Sequence, residues 1–143
     1  MLKRIHYISS FTGEMSDNEI EVIASQAAKK NAEHDITGVL MAKGGLFFQI
    51  IEGPEENIDK LFINILKDPR HKKIITLGIQ IGDLKRLFPG WHMKKINLDT
   101  NTSERLQPVK AIIDAVHAQA AIIENLTEAL AAAAWAELLD LNS

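Results

Sequence analysis

The chain has no cysteine among its 143 residues. That absence removes disulfides, thiolate metal sites, cysteine nucleophiles and any chemistry that stores a signal as a cysteinyl adduct. Long apolar runs are missing too. LFFQII is broken by a glutamine, and the N-terminal MLKRIHYISS passes from basic residues into strand-like alternation without an apolar signal core. A cytoplasmic protein is expected. Basic residues are absent from the C-terminal end: all 16 Lys and Arg lie at or before Lys110, while acids continue to Asp140. The net charge of -3 therefore divides into a slightly basic body and an acidic tail. Pairs such as Lys29-Lys30, Lys72-Lys73 and Lys94-Lys95 are scattered rather than clustered, so neither a nucleic-acid nor a membrane partner is expected. There is no GxGxxG, P-loop, nucleophile elbow or HExxH, and the histidines show no metal-ligand spacing. No metal and no enzyme activity are expected.

What is present is 46% hydrophobic residues, ordinary for one globular domain with a real core. Alternation predicts a strand over 2–9, with Ile5, Tyr7 and Ser9 on one face. SDNE, with Ser16 as N-cap and Glu19 three residues on, opens a helix over 17–32 whose stripe is Ile20, Ile23, Ala24, Ala27 and finally Asn31. ITGVLMA and LFFQIIEG flank Lys43-Gly44-Gly45 as a hairpin. A second helix starts near Pro54, carries Ile58, Leu61, Phe62, Ile65 and Leu66, and stops at Asp68-Pro69. Strands are expected at about 73–81 and, after Pro89-Gly90, at about 91–98, with Trp91 and Met93 sharing a face. The order is β-α-β-β-α-β-β, an α+β ferredoxin-like sandwich over 1–98. Residues 99–143 form a helical appendage, expected as two helices.

FFQIIEG, residues 47–53, sets an amide among large apolar residues. Gln49 shares a face with Phe47 and Ile51, while Leu46, Phe48 and Ile50 line the other. An unpaired buried amide group costs about 1–3 kcal/mol, so either more protein or a ligand must meet it.

The ordered set of YISS with Tyr7, Asn31, ITGVL, FFQIIEG, DPRH at 68–71 and WHM at 91–93 resembles the BLUF domains, sensors of blue light using flavin. The resemblance covers roughly residues 3–98 and implies a stand-alone photoreceptor binding FAD noncovalently, with no catalytic output domain in the chain. It implies that Tyr7 donates an electron to the excited flavin and that Gln49 bridges the phenol to the ring's N5 and C4 carbonyl edge. Asn31 would meet the carbonyl and N3 edge, Arg70 and His71 the pyrimidine side, and Asp68 the ribityl chain. Ile23 and Ile65 would clamp the ring. Lys29 or Lys30 would take over a phosphate contact, because Asn64 stands where some relatives have a basic residue. Trp91 or Met93 would relay the signal to the C-terminal helices, and through them to an effector protein or a second copy. His92 departs from the family's usual small serine. Two rivals remain from the residues alone. One is an acylphosphatase-type hydrolase, for which SSFTGEMS offers only Gly13 as a phosphate cradle; the other is a module that merely dimerises.

Overall fold

A computed structural model describes residues 1–11 and 15–141; Gly13, weighed as a phosphate cradle, lies outside the described residues. Residues 1–106 form one compact unit, and the chain from Gln107 forms another. In the first unit the elements are β1 (Leu2–Phe11), α1 (Asp17–Glu33), β2 (Thr37–Lys43), β3 (Leu46–Pro54), α2 (Glu55–Lys67), β4 (His71–Gly82) and β5 (Lys94–Asn97). The strands form one sheet in the order β4-β1-β3-β2-β5. The first four are antiparallel to their neighbours, and β5 joins β2 in parallel. This is the ferredoxin-like arrangement, with an added edge strand.

Local chemistry explains the element ends. The Ser16 hydroxyl accepts the Glu19 N–H at 3.2 Å, capping one of the four donors a helix start leaves unpaired. At the far end the Asn31 carbonyl takes the N–H groups of both His34 and Ile36, and Asp35 turns the chain at φ 55°. Gly44 and Gly45, at φ 55° and 82°, make the β2–β3 turn. Gly38 is required for a different reason: a Cβ there would sit 2.1 Å from the Ile50 carbonyl oxygen.

The odd-numbered face of β1 and β3 carries Ile5, Tyr7, Phe47 and Ile51, all buried with Ile20 and Ala24 of α1 and Ile58 of α2. Three expectations are corrected. The last strand starts at Lys94, not 91, because the Trp91 and His92 carbonyls are taken by the Gly38 N–H and the Asn31 amide instead of a ladder. Strand alternation therefore does not place Trp91 and Met93 on a common face: Met93 is buried and Trp91 is 44% exposed. The appendage is a single helix, α3 (Gln107–Leu141), preceded by a 3-10 turn at Glu104–Leu106.

To pass from β4 to β5, at opposite edges, residues 83–93 must cross the other three strands. The crossing is held in sheet order. Arg4 on β1 donates to the Lys85 carbonyl at 2.6 Å; Glu52 on β3 accepts the N–H groups of Leu87 at 3.0 Å and Phe88 at 2.7 Å. Arg86 then donates to the Thr37 hydroxyl on β2 at 2.9 Å. Glu52 is completely buried and also accepts from the Arg4 guanidinium at 3.0 Å. Burial pushes the Glu52 carboxyl upward, but the Phe88 and Leu87 donors and Arg4 outweigh it and hold it below the usual carboxylate range. A lowered carboxyl stabilises the fold above the unfolded-state pKa of about 4.3 and loses that contribution as pH falls through its own. Glu52→Gln is accordingly expected to cost about 3 kcal/mol near neutral pH by leaving the buried Arg4 charge without its counter-ion. Thermal melts should show the gap from the parent protein closing as pH drops below the carboxylate range.

Candidate functional site

Tyr7 and Gln49 are direct cross-strand partners on the two inner strands. The phenol donates its hydroxyl hydrogen to Gln49 Oε1. Tyr7 is the chain's only tyrosine, has no solvent exposure, and packs its ring edge-on to Phe62 at 5.5 Å. Burial, with the Asp68 charge adding to it, raises its pKa far above the usual phenol value, so the group stays protonated at any ordinary pH. With its oxygen on Tyr7, the Gln49 amide nitrogen turns towards Met93, whose sulfur lies 3.9 Å away. Sulfur is a weak acceptor, so the amide donors keep capacity for a better one.

Beside this pair lies a cavity of about 180 Å³ between α1 and α2, floored by β2 and β3. Its apolar wall is Ile23, Ala27, Leu40, Phe47, Ile51, Leu61 and Ile65. Its polar groups are Gln26, Lys30, Asn31, Gln49, Asn64, Asp68, Arg70 and His71, with Met93 beside Gln49. Asn31 is 2% exposed and spends one amide hydrogen on the His92 carbonyl at 2.7 Å. Its other hydrogen and its oxygen remain for a ligand edge carrying both an acceptor and a donor. Arg70 and Asp68 pair at 2.6 Å, which lowers the carboxyl and raises the guanidinium. His71 shares a 2.7 Å hydrogen bond with the Ser9 hydroxyl, and burial lowers its pKa although Asp68 opposes the shift. A neutral imidazole results near pH 7. A planar ring with apolar faces and hydrogen-bonding edges suits such a slot.

The candidates Ile23, Lys30, Asn31, Gln49, Ile65, Asp68, Arg70, His71 and Met93 are thus brought together around one cavity, with Tyr7 joined to it through Gln49. Trp91 is not: it stacks on Phe88 at 5.9 Å, away from the lining. Lys29 is exposed and does not line the cavity, whereas Lys30 does. Sequence reasoning missed Ala27 and Leu61 as lining residues, although each lies four positions from a named clamp, Ile23 and Ile65, on the same helical face. It also missed Ser9 as the partner of His71 and Leu40 as the neighbour of Gln49 across β2–β3. No group of metal ligands and no helix long and apolar enough to cross a membrane occurs among the described residues.

Fold and cavity together define a ferredoxin-like domain with a cavity between its helices and sheet, beside a buried tyrosine–glutamine pair. The family profile of BLUF, "Sensors of blue-light using FAD", matches residues 2–94, and the chain belongs to that family of flavin-binding photosensors. It is 37% identical over 106 residues to "Photoactivated adenylate cyclase subunit beta" of Euglena longa, which covers 71% of this chain and 12% of the relative. The chain thus spans about 12% of the length of that curated relative. Among solved structures, a bacterial light-regulated adenylyl cyclase matches with a TM-score of 0.81 and 41% identity, over 87% of this chain and 36% of that one. The dark-state structure of BlrB, a BLUF protein, matches at 0.68 and 30%, over 79% and 83%.

The cavity itself can be tested by filling it. Ala27→Trp should leave the protein folded, with a melting temperature close to that of the parent, yet unable to retain flavin through gel filtration.

Proposed function

We propose that the chain is a blue-light receptor that binds FAD noncovalently in this cavity and stores the signal as a changed hydrogen-bond pattern at Gln49. The observation that carries the reading is the buried Tyr7–Gln49 hydrogen bond beside a slot with an amide, Asn31, at its polar edge. Ile23 and Ile65 would hold the two faces of the ring, and Asn31, Arg70 and His71 its pyrimidine side. Asp68 suits the ribityl hydroxyls. Lys30 supplies positive charge suited to the phosphates that distinguish FAD from free riboflavin.

When bound and excited, a flavin supplies an electron acceptor. Tyr7 would respond, because a phenol that loses an electron becomes a strong acid; its hydrogen bond to Gln49 Oε1 supports this reading. Gln49 would relay that proton, accepting it at Oε1 while releasing one from its amide nitrogen to the ligand edge; electron and proton would then return to Tyr7, leaving the amide with its donor and acceptor ends exchanged, by rotation or tautomerisation. An exchanged amide no longer presents N–H to the Met93 sulfur, which has no hydrogen to offer an oxygen. The contact that holds Met93 changes, and Met93 is one residue from β5. From β5 the change would pass to α3 and an effector protein or second copy. The acylphosphatase-type alternative is disfavoured by Arg70, which is committed to Asp68 through several hydrogen bonds. Cyclase activity belongs to the relatives that carry it in their names.

The purified protein should be yellow, shift its flavin absorption slightly to the red under blue light, and recover in darkness; a colourless protein that FAD cannot reconstitute would sink the reading. Tyr7→Phe and Gln49→Leu should each keep the flavin and lose the shift. α3 exposes Leu126 at 54% and Leu130 at 61%. Replacing both by lysine should abolish light-dependent self-association, measured by light scattering after gel filtration, while the red shift persists.

A further inference from the structure

We infer that Glu52 is the positioning residue about which the 85–93 segment transmits change at Gln49 to β5. This rests on the Tyr7–Gln49 reading above. Glu52 lies on the same strand as Gln49 but on the opposite face, three residues away, roughly 10 Å along the strand. Its two carboxylate oxygens receive the Arg4 guanidinium and the Thr37 hydroxyl from the neighbouring strands and the N–H groups of Leu87 and Phe88 from the crossing segment. Those are four donors on two oxygens, all acting on a side chain with no solvent exposure.

Only a carboxylate fits this role. A glutamine has one acceptor oxygen and would turn an NH₂ group against a second set of donors, leaving at least one unmet. The segment is thereby fixed to β3 at residues 87–88 and held again at 91–93, where the Trp91 carbonyl accepts from Gly38 and the His92 carbonyl from Asn31. His92 Nδ1 also meets the Ile36 carbonyl at 2.9 Å. Between the two holds, Phe88 and Trp91 stack at an interplanar angle of 18° and stiffen the span. A shift at Met93 therefore finds the upstream end fixed, and displacement is directed downstream into Lys94–Asn97. Without Glu52 the same shift would dissipate into a slackened crossing. A fixed point is what makes a local rearrangement directional.

Hydrogen exchange on the full FAD-loaded chain, in light and dark, tests this. In the parent protein the Leu87 and Phe88 amides should stay equally protected in both states while exchange in Lys94–Asn97 changes on illumination. Glu52→Gln should retain the flavin and the red shift, yet reduce that light-dependent change in Lys94–Asn97 at least threefold. Loss of Leu87 and Phe88 protection on illumination in the parent would overturn the proposal, and needs no variant to fold. So would a Glu52→Gln protein whose Lys94–Asn97 response equals the parent's. Failure of the underlying photochemical reading has its own signature, since the parent would then show no red shift at all.

Discussion

A buried phenol must place its hydrogen somewhere, and in this fold its partner is one amide oxygen. The Tyr7–Gln49 bond fixes much else around it. It requires β1 and β3 to be adjacent and in register, which the β-α-β-β topology supplies by inserting β3 between β1 and β2. It requires water to be kept away, which α1 and α2 do by closing Ile20, Ala24, Ile58 and Phe62 over the odd-numbered face. It also sets the orientation of the amide, since an oxygen held by Tyr7 leaves the nitrogen for Met93 or for a ligand. Two polar side chains thus couple a cavity, a sheet and a connecting segment.

The surrounding charges are arranged so that this pair is not disturbed by ordinary titration. Asp68 and Arg70 neutralise one another at the cavity mouth, and His71 is kept neutral by burial while bonded to Ser9. On the opposite sheet face the Arg4–Glu52 pair is buried but fully bonded, which is the condition under which a buried ion pair is tolerable. The pair also specifies one arrangement of the chain around it. Here the arrangement specified is the path of the chain from β4 to β5.

Much of this was readable from residue order. Period-two alternation placed Tyr7 on one face with Ile5 and Gln49 on one face with Phe47 and Ile51, and helical spacing placed Ile23, Asn31 and Ile65 on apolar stripes, because both signals depend only on local geometry. The exact opposition of Tyr7 to Gln49 was not readable, since it depends on two non-sequential strands pairing in one register. Trp91 failed for a related reason: strand alternation was assumed where tertiary hydrogen bonds from Gly38 and Asn31 override it. Glu52 was overlooked although it ends the same apolar run as Gln49. Its partners, Arg4 and the 87–88 amides, are 48 and about 35 positions distant, beyond any periodic pattern. The single α3 helix had a local sign, because neither glycine nor proline occurs after Pro108 to divide it.

The strand order has a mechanical corollary. Tyr7 and Gln49 sit on β1 and β3, each bonded to strands on both sides, whereas β5 is a four-residue edge joined to one neighbour. A sheet built this way is an anvil with a thin lip. A displacement at the centre is resisted by backbone bonds on both sides, whereas one at the β5 rim is resisted from one side alone.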